Sequence, residues 1–533
     1  MSRRCLATSL KGLQLGAQFH SRRNATNHFD QCRYQSSPRI LPYFTKSSTQ
    51  LNGVTRLQKR YRTKLSSQSP NVESENDSGK RQSFPKKGHV KKRNGHIGKR
   101  HSYEFSSIND QSTFDMFASC LPGLEPYLNN ELLSLAISPH PTPGGVYFKA
   151  TSVDQILQCH LHLGTASHLF LRTGPPFRAL GMEELCLKVS RLKFWKQYIK
   201  MDGGFETGAL PNLDIRVTSS KSRLFHTKGI AERVERGIWN SLGLNGQDIM
   251  DKKLANTTIS AVKKQHVNNA TIKLLVRIHR NEVEISVDTS STPLHRRGYR
   301  LEGGKAPLRE DLAFALLYSS QYQGGGLLDP FCGSGTIVIE GAAMAFGLPP
   351  GRLRQAPMLG SRLGSENKWK SLISTSIDNA NENIERQRGD PTAKLIVGTD
   401  RNKGAIAAAL GNAERAGVLD LVKLEHQAIS AVDWFENPTN APSRVLVATN
   451  PPFGRRVSSK NKGTEKPLLP LYQTLGHKVG NLQGTVDFSI LAQDTNLARK
   501  TAIRNLSLNF ASKHGGLNVF ILGAKDIALR NDK

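Results

Sequence analysis

The sequence predicts an α/β protein, in which an N-terminal α+β module precedes a doubly wound, mainly parallel sheet. Three observations predict it. Short strand and helix patterns alternate from residue 112 onward. From residue 306 they change to buried apolar strands, each followed by a helix. Two of those strands end in Asp-Pro-x-x-Gly-x-Gly and Asn-Pro-Pro-Phe, at the strand ends where open α/β sheets hold ligands.

Charge is unevenly spread ahead of these elements. The 533 residues include 74 Lys or Arg against 43 Asp or Glu, a net charge of +31, and 22 of the basic residues but only 4 of the acidic ones lie in residues 1–100. That leaves +13 on the remainder, enough to favour a polyanionic partner. Leu6, Leu10 and Leu13 recur at helical spacing among Arg and Ser, and Asp30 is the one acid up to residue 70. This composition predicts a disordered transit peptide over 1–70, and its amphipathic start fits a mitochondrial address better than a chloroplast one. Residues 71–112, with the run KKGHVKKRNGHIGKR, predict a basic disordered linker; a nuclear or nucleolar signal is the alternative reading. No run of about 18 apolar residues exists, so no membrane-spanning helix is expected. The six cysteines show no Cys-x-x-Cys, and His160 and His162 do not face each other on a helix, so neither a disulfide framework nor a metal centre is expected.

The α+β region is placed at 113–292. FDMFASC reads as a strand, and Leu124, Leu128, Leu132 and Leu133 mark a helix. A Gly-Gly turn leads into the strand at 144–150, then VDQILQCHLHL predicts a helix and HLFLRTG a strand. One helix is expected across CLKVSRLKFW, a strand at LDIRVTSS, a helix at TKGIAERVERGIWNSLG, and two strands around a turn at Arg280 and Asn281. Lys221, Arg223, His226 and Lys228 fall in the strand-to-helix loop of this region, where exposed backbone and charge suit RNA phosphates.

The region 293–533 carries the chemistry. Its first strand ends at Asp329-Pro330, turns through Gly333 and Gly335, and enters an Ala-rich helix at Thr336. The dinucleotide fingerprint fails because position 338 is Val, and the P-loop fails for want of Gly-Lys-Ser/Thr. S-adenosylmethionine, which has no phosphate, is the remaining common occupant. The next strand, KLIVGTD, ends in Asp400, where a carboxylate can accept both ribose hydroxyls. A later strand ends in Asn450-Pro451-Pro452-Phe453, and two prolines hold that backbone in a rigid turn. The Asn450 oxygen and the Pro451 carbonyl can take the two N–H groups of an exocyclic amine, and Phe453 can stack on its base.

These stretches, DPFCGSG (329–335), TNPPFG (449–454), GGVYFKA (144–150), SRLFHTKGIAERV (222–234) and LHRRGYR (294–300), resemble the THUMP-containing RNA methyltransferases, and most of all the class forming N2-methylguanosine in large-subunit ribosomal RNA. The resemblance covers about residues 114–533. It implies a ferredoxin-like plus THUMP RNA-binding half and a Rossmann-like class I methyltransferase half using S-adenosylmethionine. It also places Pro307, Leu308 and Arg309 against the methionine part of the cofactor. One departure stands out: where the family carries an acid for the adenine amine, this sequence has Ala428, with Asp433 too late to replace it. Guanine-N2 methylation of ribosomal RNA is the leading expectation. Guanine-N2 methylation of transfer RNA, adenine-N6 methylation, and a non-catalytic RNA-binding ribosome-assembly role are the alternatives.

Overall fold

The structure, a computed structural model, describes residues 113–200, 211–244, 271–290, 292–301, 307–387, 395–432, 442–452 and 468–527. The expected transit peptide (1–70), the expected linker (71–112), Phe453 and Asp433 lie outside the described residues.

The first sheet contains β1 (Phe114–Cys120), β2 (Pro139–Thr142), β3 (Gly145–Ala150), β4 (Ala166–Arg172), β5 (Phe177–Arg178), β6 (Asn212–Ser220), β7 (Thr271–His279) and β8 (Glu282–Asp288). Its order is β2-β3-β1-β4-β8-β7-β6, with β5 on β8. The ferredoxin-like strands and the later ones therefore share one sheet, joined by the antiparallel pairing of β4 with β8. β7 and β8 turn through Arg280 and Asn281, both at positive φ, as a two-residue hairpin favours. The helices are α1 (Glu125–Ser134), α2 (Val153–His162), α3 (Met182–Ser190), α4 (Phe194–Tyr198) and α5 (Thr227–Ser241). Ser152 caps α2 by accepting from the Gln155 N–H at 3.1 Å. Leu124 at the N-cap of α1 and Leu128 and Leu132 within it are fully buried, whereas Leu133 is exposed.

One expectation is corrected here. The single helix read across CLKVSRLKFW is two, α3 and α4. The Trp195 indole N–H donates to the Val189 carbonyl at 3.0 Å, satisfying a terminal acceptor of α3, and the chain turns so that Phe194, Trp195 and Tyr198 enter the core.

The second sheet contains β9 (Gly326–Asp329), β10 (Ile396–Asp400), β11 (Lys423–His426), β12 (Arg444–Thr449), β13 (Thr485–Ala492), β14 (Ser507–His514) and β15 (Leu517–Ala524). Helices α6 (Glu310–Ser319), α7 (Thr336–Phe346), α8 (Glu366–Gln387), α9 (Lys403–Arg415), α10 (Leu469–Gly480) and α11 (Thr495–Arg499) accompany it. The order is β11-β10-β9-β12-β13-β15-β14, parallel except for β15, which runs antiparallel to both neighbours. β9 and most of β12 are buried on both faces, as the centre of a parallel sheet requires. From β9 the chain builds outward to β11, then crosses back to place β12 on the other side of β9. That reversal opens a crevice at the carboxyl ends of β9 and β12.

The chain position expected to separate the two regions is not a gap in packing. One apolar cluster runs from Met116 and Leu169 through Trp195 to Leu316, Val338 and Ile339. Leu294 N–H still pairs with the Ser167 carbonyl at 2.8 Å, and Arg362 N–H with that of Tyr198 at 2.9 Å.

Candidate active site

The crevice is framed by the ends of β9, β10, β11 and β12. Asp329 closes β9 and is buried. Its Oδ1 accepts from the Phe331 N–H at 3.1 Å and from the Thr449 hydroxyl at 2.8 Å. Burial pushes its carboxyl up to about 7, with the Asp400 charge adding to the rise, while these two hydrogen bonds pull the other way. Pro330 is buried behind it.

The loop after β9 is shaped by two glycines with positive φ, Gly333 at 54° and Gly335 at 83°. A methyl group on Gly333 would meet nothing within 4 Å, so the loop presents bare backbone to open space at that point. Gly335 is tighter, since a Cβ there would lie 3.1 Å from that of Ala409 on α9. The Gly333 N–H donates to Asp400 Oδ2 at 3.1 Å, and the Asn402 N–H to Oδ1 at 2.8 Å. Asn402, not Asp400, caps α9, so the Asp400 carboxylate is held at the strand tip with acceptor capacity to spare. Asn412 holds the loop from below by donating to the Ser334 carbonyl at 3.0 Å. Thr336 sits at the start of α7, and its hydroxyl accepts from Arg300 at 2.7 Å.

Across the crevice, Asn450 follows β12 directly. Its Oδ1 is buried and has no hydrogen-bond partner. An acceptor left in that state costs about 1–3 kcal/mol, so a donor is wanted there. Pro451 is buried and Pro452 exposed.

The other expected residues divide. Leu308 is buried just ahead of α6, and Pro307 is partly so. The Arg309 guanidinium is taken by Asp311, at 3.0 and 2.6 Å, and also reaches Ser167 in the first sheet at 3.2 Å. Its side chain is thus committed to the seam between the sheets. Lys221 and Arg223 lie in the loop between β6 and α5, His226 caps α5 and Lys228 falls in its first turn rather than in the loop expected for it; all four are exposed and contribute nothing to the crevice framework. Ala428 follows β11 by two positions and offers no side-chain acceptor. Thr449, Asn402 and Asn412 were not expected; of these only Asn402, before a helix and after a strand, has a sequence signal, that of an N-cap. Among the described residues no group of His, Cys, Asp and Glu could hold a metal ion, and no helix is long and apolar enough to cross a membrane.

A topological switch point with a glycine loop on one side, a strand-end carboxylate beside it and an Asn-Pro-Pro turn opposite defines the class I methyltransferase fold. Family matches identify residues 297–514 with the family described as RMKL-like, methyltransferase domain, and residues 115–170 with the RlmL ferredoxin-like domain. The chain is 31% identical over 446 residues to a ribosomal RNA large subunit methyltransferase K/L of Saccharophagus degradans, covering 80% of this chain and 54% of the relative. A protein of the same name from Legionella pneumophila (strain Lens) is 31% identical over 401 residues, covering 73% and 50%. The chain thus spans about half the length of these relatives. Among solved structures, SMU.472 complexed with SAH superposes with a TM-score of 0.61 at 22% identity, covering 78% of this chain and 98% of that one. TrmN from Thermus thermophilus gives 0.50 at 17%, covering 78% and 99%. Both are alike in fold.

Proposed function

We propose that this chain is an S-adenosylmethionine-dependent RNA methyltransferase acting on the exocyclic N2 amine of a guanine in ribosomal RNA. The observation that carries the reading is the buried, unpartnered Oδ1 of Asn450 at the crevice. The crevice also fits the methyl donor, with bare backbone at Gly333 and a free-sided carboxylate at Asp400. When bound, S-adenosylmethionine supplies an electrophilic methyl. Asn450 Oδ1 accepts one N–H of a flipped-out guanine and the Pro451 carbonyl the other, which aims the nitrogen lone pair. The amine proton becomes acidic only as the new bond forms, so it passes to water without a strong base. Ribosomal RNA is favoured by the names of the relatives, and the +13 charge outside residues 1–100 suits phosphate contacts.

The test uses the full chain, labelled S-adenosylmethionine and organelle ribosomal RNA, with mass spectrometry of the nucleosides. Labelled N2-methylguanosine is expected, and Asn450→Ala abolishes it while S-adenosylhomocysteine binding persists. Methyl in N6-methyladenosine, or only in transfer RNA, would replace the substrate part of this reading. The lost acid at Ala428 favours a second reading, a ribosome-assembly protein without activity; RNA binding with no methyl transfer would select it. The composition of residues 1–70 supports a mitochondrial address, tested by whether those residues carry a fluorescent reporter into mitochondria.

A further inference from the structure

Gln427 is a second buried acceptor without a partner at the rim of the sheet. Its Oε1 is inaccessible and makes no hydrogen bond. Other such atoms, Thr399 Oγ1, Ser489 Oγ and Ser512 Oγ, lie inside strands β10, β13 and β14. Among the described residues, only Gln427 Oε1 and Asn450 Oδ1 come immediately after the carboxyl end of a parallel strand, where ligands of such sheets bind. The Gln427 N–H donates to the Asp400 carbonyl at 3.1 Å, so this residue is anchored beside the carboxylate read above as the ribose site. Ala428, its neighbour, has no side-chain acceptor to give.

We propose that Gln427 Oε1 receives an N–H of the adenine amine, taking over the task of the acid absent at 428. This rests on S-adenosylmethionine being the ligand. A neutral amide accepts one such bond, and a donor arriving there relieves a buried oxygen that is otherwise unsatisfied. The test is calorimetric binding of S-adenosylhomocysteine and of S-inosylhomocysteine, in which a carbonyl oxygen replaces the amine, to the full chain. Gln427→Leu is expected to weaken S-adenosylhomocysteine about tenfold with an unchanged melting temperature. Gln427→Glu should keep S-adenosylhomocysteine and reject the inosyl compound more strongly than the unsubstituted chain, because a carboxylate has no donor to turn toward a carbonyl. Unchanged binding by the Leu variant, or equal discrimination by the Glu and Leu variants, overturns the proposal. If the unsubstituted chain binds no S-adenosylhomocysteine, the methyl-donor reading itself falls and this one with it.

A separate observation concerns the loop between β6 and α5. Phe225 is 78% exposed, the most exposed large apolar side chain among the described residues. It projects from a pinned loop. Leu224 is buried beneath it, the Arg223 N–H donates to Asn281 Oδ1 at 2.8 Å, the Asn281 N–H to Ser222 Oγ at 2.9 Å, and His226 Nδ1 accepts from the Gly229 N–H at 3.0 Å. The ion pairs of the neighbouring helices join Arg233 and Arg236 to Glu183 and Lys188 to Glu184. Lys221, Arg223 and Lys228 have no carboxylate partner among the described residues.

We infer that Phe225 is a stacking platform for a base of an unpaired RNA stretch whose phosphates meet Lys221, Arg223 and Lys228. This rests on RNA being the partner. With a labelled mixed-sequence 20-mer, Phe225→Ser should weaken single-strand binding about tenfold without altering its salt dependence, and should leave a duplex of the same length unaffected. Lys221→Gln with Arg223→Gln should instead flatten the salt dependence. Phe225→Trp should bind normally, with emission quenched by the single strand. Undiminished binding by Phe225→Ser, or equal losses for strand and duplex, overturns the inference. Failure of the unsubstituted chain to bind either RNA overturns the RNA reading as a whole.

Discussion

The Thr449 hydroxyl donates to the Asp329 carboxylate at 2.8 Å, tying the last residue of β12 to the last residue of β9. These are the strands that carry the Asn-Pro-Pro turn and the glycine loop, so this hydrogen bond adds to their parallel backbone pairing and ties the two loops together at the strand ends. The buried carboxyl it touches titrates near 7, well above its ordinary value of 3.8, because burial disfavours the charged form. The folded state therefore holds a proton that the unfolded state gives up from about pH 4 upward. Stability is fully present below that range and declines as pH rises to about 7, beyond which both states are ionised. Asp329→Asn keeps an acceptor for Thr449 and Phe331 but has no such proton. Thermal melting at pH 5 and pH 8 should show a larger fall for the unsubstituted chain than for the Asn variant. Parallel curves would mean that Asp329 is ionised throughout.

Gly333 and Gly335 should respond differently to alanine. At Gly333 the added methyl meets no protein atom, and the left-handed backbone costs about 1–2 kcal/mol. That methyl occupies space over the loop, however, so S-adenosylhomocysteine should bind at least tenfold more weakly to Gly333→Ala while melting changes little. At Gly335 the methyl presses on Ala409, and a clear loss of stability is expected. Binding that survives Gly333→Ala would move the ligand away from the loop.

Most of the site's backbone was legible in the sequence, because loops that bare their backbone need glycine and rigid turns need proline, and both are visible as letters. The hydrophobic pattern likewise located β1, β4, β6 to β8 and their helices. What stayed hidden depends on partners far along the chain. The break between α3 and α4 follows from Trp195 finding the Val189 carbonyl. Arg309, expected with Pro307 and Leu308 to border the methyl donor, has its charge answered by Asp311. Thr449 is an ordinary strand threonine until β9 lies beside it. The shared core across residues 292–293 is invisible to composition, since both regions alternate strands and helices.

Cys332 lies within the glycine loop, and a cytosine-C5 mechanism would need such a cysteine as its nucleophile. Burial, with the Asp329 and Asp400 charges adding to it, pushes the thiol well above its usual value, so the thiolate is not formed near neutral pH. Its backbone N–H pairs with the Thr399 carbonyl at 3.0 Å, which is a packing role. Cys332→Ala should therefore retain methyl transfer to within a few-fold, and iodoacetamide should label the folded chain at this position only slowly. Complete loss of transfer with normal folding would place Cys332 in the chemistry.

A buried polar chain crosses between the two sheets. Glu131 of α1 accepts from the Gly164 N–H at 2.6 Å, the Gly164 carbonyl accepts from Arg297 at 2.7 Å, and Arg297 meets Glu340 of α7 at 3.3 Å. The Tyr299 hydroxyl donates to the other Glu340 oxygen at 3.1 Å. The side chains of Arg297 and Glu340 are 2% and 5% exposed, so each charge depends on the other for compensation. Removing one partner leaves an uncompensated buried charge, at a cost of about 3–5 kcal/mol, whereas replacing both with apolar side chains of similar volume can be nearly neutral. Glu340→Ala should thus lower the denaturation midpoint sharply, and Arg297→Met combined with Glu340→Leu should recover most of that loss. Because α7 begins at the glycine loop and α1 belongs to the first sheet, the Ala variant should also weaken S-adenosylhomocysteine binding while the two sheets still melt in one transition. Two separated transitions would show that the continuous core does not couple them.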